Sequence, residues 1–148
     1  MARRLRVAGT GPDREPISVL IAHRHLAVTR GLRLLLRSVD TIEVIGEAAD
    51  MSTALTLLPQ LLPDVLLLDL GLVYASGLQV IQKAQQAAPG AAIIVVSTNT
   101  DRTLPRLLGT TEIDACVATD RADRELAPAI RAAVASRRRQ ARVGNATH

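Results

Sequence analysis

The sequence predicts an α/β domain, a doubly wound parallel sheet covered by helices on both faces, and three observations carry that prediction. Five short runs rich in aliphatic and β-branched residues, Ile17 to Ala22, Ile42 to Ala48, Asp64 to Leu68, Ala91 to Val96 and Ile113 to Ala118, have the look of strands. Most are apolar at successive positions, as strands covered on both faces are. The segments between them carry apolar residues at helical spacing, so strand and helix alternate along the chain. The length of 148 residues suits one such domain.

The helices follow in order. Val28, Leu32, Leu35, Leu36 and Val39 make one apolar stripe while Arg30, Arg33 and Arg37 lie elsewhere, which predicts an amphipathic first helix. Ala54, Leu57, Leu58 and Leu61 repeat the pattern until Pro63 ends the second helix. Leu78, Ile81 and Ala84 supply the third, closed by Pro89-Gly90. The fourth, Arg102 to Leu108, contains Pro105, tolerable in a first turn capped by Asp101, and is expected to be short or irregular. Leu126, Ile130, Ala133 and Val134 define the last helix, where Pro128 should kink the first turn or delay regular hydrogen bonding.

Composition narrows the function. Hydrophobic residues make up 48% of the chain, enough for one buried core and too many for a disordered one. Tyr74 is the only aromatic residue, which excludes base-stacking platforms, aromatic cages and flavin-stacking pockets. The net charge of +4 is unevenly placed. Residues 1–16 and 137–148 hold eight arginines against Asp13 and Glu15, whereas 17–136 hold ten basic residues against twelve acidic ones. The expected organisation is a basic disordered tail (1–16), a mildly acidic domain (17–136) and a basic tail or linker (137–148), with nucleic acid contacted only indirectly or through an output domain outside these residues. Cys116, the single cysteine, excludes an intrachain disulfide and multi-cysteine zinc modules. The apolar runs are too short to span a bilayer, and the arginine-rich start lacks the apolar core of a secretory signal. A soluble cytoplasmic protein without membrane contact is expected.

Ligands of an open parallel sheet bind beyond the carboxyl ends of its strands, near the switch in strand order. The residues there are His23 and Arg24 after the first strand, Asp69 after the third, Ser97 and Thr98 after the fourth, and Thr119 and Asp120 after the fifth. Val19-Leu20-Ile21-Ala22-His23-Arg24-His25, Ile42-Glu43-Val44-Ile45-Gly46-Glu47-Ala48 and Pro63-Asp64-Val65-Leu66-Leu67-Leu68-Asp69-Leu70 resemble the first three strands of bacterial response regulator receiver domains, especially those attached to helix-turn-helix DNA-binding domains. Gly77-Leu78, Ala88-Pro89-Gly90 and Ala129-Ile130-Arg131-Ala132 also fit, and the resemblance spans roughly residues 17 to 135.

The resemblance implies a flavodoxin-like, three-layered fold with strand order 2-1-3-4-5. It places the phosphoacceptor role, filled in the family from a histidine kinase, on Asp69. The family holds Mg²⁺ with two acidic residues after the first strand, because the attacking carboxylate and the phosphoryl oxygens are all anionic and need a bridging cation. Here those positions are His23 and Arg24, a poor ligand for a hard cation and no ligand at all. Magnesium binding should therefore be lost or weak, with no cofactor expected. Thr119 replaces the family's phosphoryl-pairing lysine, Ser97 keeps its hydroxyl, and Cys116 stands at the position of the switch aromatic. The loop after the phosphoacceptor, rich in Met, Pro and Gly in the family, reads Leu72-Val73-Tyr74-Ala75-Ser76-Gly77. Arg24 is expected to reach Asp69 as a bidentate partner that supplies the missing positive charge and blocks the pocket.

These departures predict an atypical, or pseudo-, receiver that is not an enzyme and acts in signal transduction or transcription regulation by protein contact. Two alternatives stand beside it: a phosphorylatable receiver that takes a phosphoryl group on Asp69 from a histidine kinase, and a small-ligand-binding regulator using the pocket of His23, Asp69 and Ser97. A zinc site of His23, His25 and Asp69, a redox role for Cys116 and a nucleophilic Ser97 are weaker readings than ordinary packing and hydrogen bonding. The resemblance further implies a homodimer or a protein partner. The first and last helices are favoured for it, and their arginines (Arg30, Arg33, Arg37, Arg131) would repel across a two-fold axis unless acidic groups interleave.

Overall fold

The computed structural model describes residues 15–98 and 113–146. Their elements are β1 (Ile17–Ala22), α1 (Leu26–Arg37), β2 (Ile42–Ala48), α2 (Met51–Leu61), β3 (Val65–Asp69), α3 (Leu70–Ser76), α4 (Gln79–Ala87), β4 (Ala92–Ser97), β5 (Ala115–Ala118), a short 3-10 turn (Thr119–Arg121) and α5 (Ala122–Ala146). The strands form one sheet in the order β2-β1-β3-β4-β5, every pairing parallel. The expected flavodoxin-like α/β topology is therefore the observed one. The segment expected to form an irregular helix around Pro105 lies outside the described residues.

The two-sided apolar character of the strands follows from what covers them. Leu20, Leu66, Leu68, Ile93 and Val95 face the side filled by α2, α3 and α4, where Ala54, Leu58, Val73, Val80 and Ile81 meet them. The intervening residues Val19, Ile21, Val65, Leu67, Ile94 and Val96 point the other way, onto Leu32 and Leu36 of α1 and Leu126 and Ile130 of α5. Period-two alternation along each strand thus feeds two cores instead of one core and one wet face.

Two aspartates that precede strands fasten the amino end of the sheet. Asp64 accepts hydrogen bonds from the Ser18 backbone N–H at 2.9 Å and the Ser18 hydroxyl at 3.1 Å, joining the starts of β3 and β1. Asp114 does the same for β5 and β4, accepting from the Ile93 N–H at 2.8 Å.

The structure departs from the sequence pattern in three places. The stretch after Asp69 is helical, because the Asp69 carboxylate caps the Gly71 N–H and Leu70, Leu72 and Val73 bury a face. Leu78, assigned by spacing to the apolar stripe of the next helix, precedes α4 and is exposed; Val80 is buried in its place, beside Ile81 and Ala84 as expected. Finally, α5 runs on to Ala146, across the boundary drawn at 136 between the domain and its basic tail or linker. Arg137 binds Asp114 through Nε and Nη2, both at 3.0 Å, and donates from Nη1 to the Pro89 carbonyl at 3.4 Å, so the helix is still fastened to the body one residue past that boundary. Pro128 is accommodated inside α5, whose start is preceded by the 3-10 turn.

Candidate functional site

The order of the sheet reverses between β1 and β3, and Ala22 pairs with Leu68. The next residues, His23 just past β1 and Asp69 at the end of β3, consequently lie side by side at the switch point, and Ser97 ends β4 on the other side of Asp69. Three of the residues expected to share a site are thus brought to one sheet edge by register alone, and all three are buried.

Asp69 has both carboxylate oxygens engaged. Its Oδ1 accepts from the Gly71 N–H at 3.0 Å, which starts α3. Its Oδ2 accepts from the Arg24 backbone N–H at 3.2 Å and from Arg24 Nε at 3.0 Å. The carboxylate side chain is 5% exposed and the arginine side chain 50%, so the pair straddles the mouth of the site. Arg24 does reach Asp69 as expected, but the pairing is not a bidentate fork. One guanidinium N–H and one backbone N–H converge on a single oxygen, because the other oxygen is already committed to the helix start.

Gly71 is a site residue that the sequence reading passed over. A Cβ placed there would overlap the Arg24 guanidinium, so the arginine lies against the bare backbone of the α3 first turn. The signal in the sequence is faint, a glycine two residues past the aspartate, and only the position of Arg24 gives it meaning.

His23 contributes differently. Its Nδ1 accepts the His25 N–H at 3.0 Å, which requires a lone pair there and leaves the ring proton on Nε2. Burial lowers its pKa below the ordinary 6.5; Asp69 opposes that effect, and His25 and Arg24 add to it. The 3.7 Å approach of Nδ1 to Asp69 Oδ2 is accordingly a contact between two acceptors, not an ion pair. The rings of His23 and His25 stand 5.7 Å apart, and no group of three His, Cys, Asp or Glu able to hold a metal ion occurs among the described residues.

At the far side of the site the Thr119 hydroxyl donates to the Ser97 carbonyl at 3.0 Å, tying the end of β5 to the end of β4. Cys116 is half-buried against the α2–α4 side, and burial raises its thiol pKa above the usual value, which disfavours the reactive thiolate.

The donor set does not fit Mg²⁺. In place of two acidic side chains there stand a neutral imidazole whose Nδ1 lone pair is spent on a backbone N–H and a cation bonded to the remaining carboxylate.

The response regulator receiver domain family matches residues 19–131, and the chain belongs to that family. The transcriptional regulatory protein YhcZ of Bacillus subtilis (strain 168) is 38% identical over 86 residues, 58% of this chain and 40% of YhcZ. Among solved structures, the RcsB response regulator of Salmonella typhimurium superposes with a TM-score of 0.70 at 28% identity, over 80% of this chain and 59% of that one. A LuxR-family two-component response regulator from Aurantimonas sp. SI85-9A1 gives a TM-score of 0.74 at 23% identity, over 82% of this chain and 87% of that one, a likeness of fold. The chain spans about two-fifths of the length of the curated relatives it matches. Among the described residues no helix is long and apolar enough to cross a membrane.

Proposed function

We propose that this receiver domain conveys its signal by protein contact without accepting a phosphoryl group, as a cytoplasmic, non-enzymatic component of transcription regulation. The observation that supports this most is the engagement of both Asp69 oxygens inside the protein, one by the first turn of α3 and one by Arg24. Phosphorylation on Oδ1 would remove the helix cap, and phosphorylation on Oδ2 would displace Arg24 from a site whose His23 and Arg24 side chains do not suit a bridging Mg²⁺. Thr119 adds no positive charge to the phosphoryl position, and its hydroxyl is turned to the Ser97 carbonyl. The link to transcription rests on YhcZ and RcsB, relatives through their receiver portions only.

A homodimer through α1 and α5 is the favoured assembly. Both helices cover the same face of the sheet, and Arg30, Arg33, Arg37 and Arg131 are exposed on them. Arg33 is already paired with Glu47, which removes one of the like charges that would oppose association.

The test is an amide NMR titration of the chain with Mg²⁺ and then with beryllofluoride, a mimic of the acyl-phosphate group. Resonances around Asp69, Ser97 and Thr119 are expected to stay in place. Saturable shifts running from Asp69 to β5 and α5 would instead establish a phosphorylatable receiver, with a histidine kinase as its partner.

A further inference from the structure

We propose that Arg24 is a receptor for a carboxylate side chain of a protein partner, an inference that rests on the protein-contact reading above and names the chemistry of the contact. Arg24 is fixed at three points: its backbone N–H and Nε are bonded to Asp69 Oδ2, and its guanidinium lies on the backbone of Gly71. The side chain is nonetheless 50% exposed, and neither Nη has a hydrogen-bond partner among the described residues. The Nε edge is spent inward, and the edge formed by the two Nη groups is left as a preformed fork for two oxygens. Ordering a free arginine on binding carries an entropy cost; here folding has already met it.

The neighbours argue for a protein ligand. Leu26, two residues along, is 59% exposed, and Tyr74, 49% exposed, is three residues beyond Gly71 in α3 and so shares the helix face that carries Arg24. Leu26 follows Arg24 closely in the chain and Tyr74 stands on the helix face that carries Gly71, so a protein segment at Arg24 has exposed side-chain surface to cover that an inorganic anion does not. Charge points the same way. Asp69 already holds one negative charge against Arg24 and repels a second anion in proportion to its charge, so a dianionic phosphate is opposed about twice as strongly as a single carboxylate. The occupant is a segment bearing an aspartate or glutamate between apolar residues.

The experiment uses the ¹⁵N-labelled chain and three probes: an acetylated, amidated hexapeptide with one glutamate among leucines, its glutamine twin, and inorganic phosphate. The glutamate peptide is expected to shift Arg24 Nε–H and the amides of residues 24–26, 71 and 74 saturably. The affinity should drop about tenfold or more with the glutamine twin, and likewise in Arg24→Lys, which keeps the charge and loses the fork. Should Arg24→Lys disturb folding, the surface variant Leu26→Ala/Tyr74→Ala serves instead and is expected to weaken the peptide severalfold with the fork intact. Equal binding of the glutamine twin, tighter binding of phosphate, or no response to any probe overturns the carboxylate receptor. A response to beryllofluoride is a separate result and overturns the protein-contact reading itself.

Discussion

Arg24 Nε lies 3.0 Å from Asp69 Oδ2, and the Arg24 backbone N–H donates to the same oxygen. A cationic side chain from the end of β1 thereby stands against the buried carboxylate at the end of β3, at the one point where the sheet changes direction. Removing the guanidinium leaves that carboxylate with one N–H on Oδ2. Arg24→Ala is expected to lower stability by about 1–2 kcal/mol, less than the loss from a fully buried pair because the arginine is half in water. Urea denaturation at low and high salt checks it, with only a modest salt effect expected since the bond itself is sheltered.

Gly71 should tolerate no side chain while Arg24 is in place. Gly71→Ala is expected to push the guanidinium off Asp69 and cost about 1 kcal/mol, no more than Arg24→Ala, because the atoms it meets are the end of a half-exposed side chain. In an Arg24→Ala background the same substitution should cost much less. A double-mutant cycle that came out additive would mean the two residues do not meet.

His23 gives the stability a pH dependence of known sign. Its folded pKa lies below the ordinary 6.5, so between those two values the unfolded chain binds a proton that the folded chain refuses. Stability therefore falls as pH drops through that window, and above 6.5 the imidazole contributes no slope. His23→Asn, whose amide oxygen can replace Nδ1 as acceptor for the His25 N–H, should flatten this part of the curve of denaturation midpoint against pH.

Restoring an acidic pair should restore the metal. The double variant His23→Asp/Arg24→Asp gathers three carboxylates and is expected to melt below the native protein in EDTA, then to regain stability on addition of Mg²⁺. The native chain should show no such metal-dependent rise, and calorimetric scans with and without Mg²⁺ compare the two directly.

At the opposite end of the sheet, Arg137→Ala should cost about 1–2 kcal/mol by breaking its two-pronged bond to Asp114. Asp114→Ala should cost more, since it also strips the acceptor from the Ile93 N–H at the start of β4. A chain ended at residue 136 is expected to match Arg137→Ala or fall below it in a thermal melt.

Much of this protein was legible before folding was considered. The five strands and the apolar stripes of α1, α2 and α5 are written as local periodicity, because a strand covered on both faces must be apolar at successive positions and a surface helix at every third or fourth. The same runs, with His23, Arg24 and Asp69 each following or ending a strand, pointed to the sheet edge where the site lies. The helix of residues 70–76 was not legible, since its start depends on the Asp69 carboxylate being turned to Gly71, and the exposure of Leu78 follows from that helix using up the chain before α4. Nor was the role of Arg137 legible, because it looks like one more charge in a basic run until Asp114, 23 residues earlier, is brought beside it. Composition and periodicity thus determined the layers, the strand order came with the family resemblance, and the identity of the site residues was set by their place after each strand. Tertiary structure alone decided which oxygen of Asp69 meets which donor, and that Gly71 must stay bare for Arg24 to reach it. Periodicity is a property of neighbours along the chain, whereas a hydrogen bond between residues 45 positions apart exists only once register has put β1 and β3 side by side.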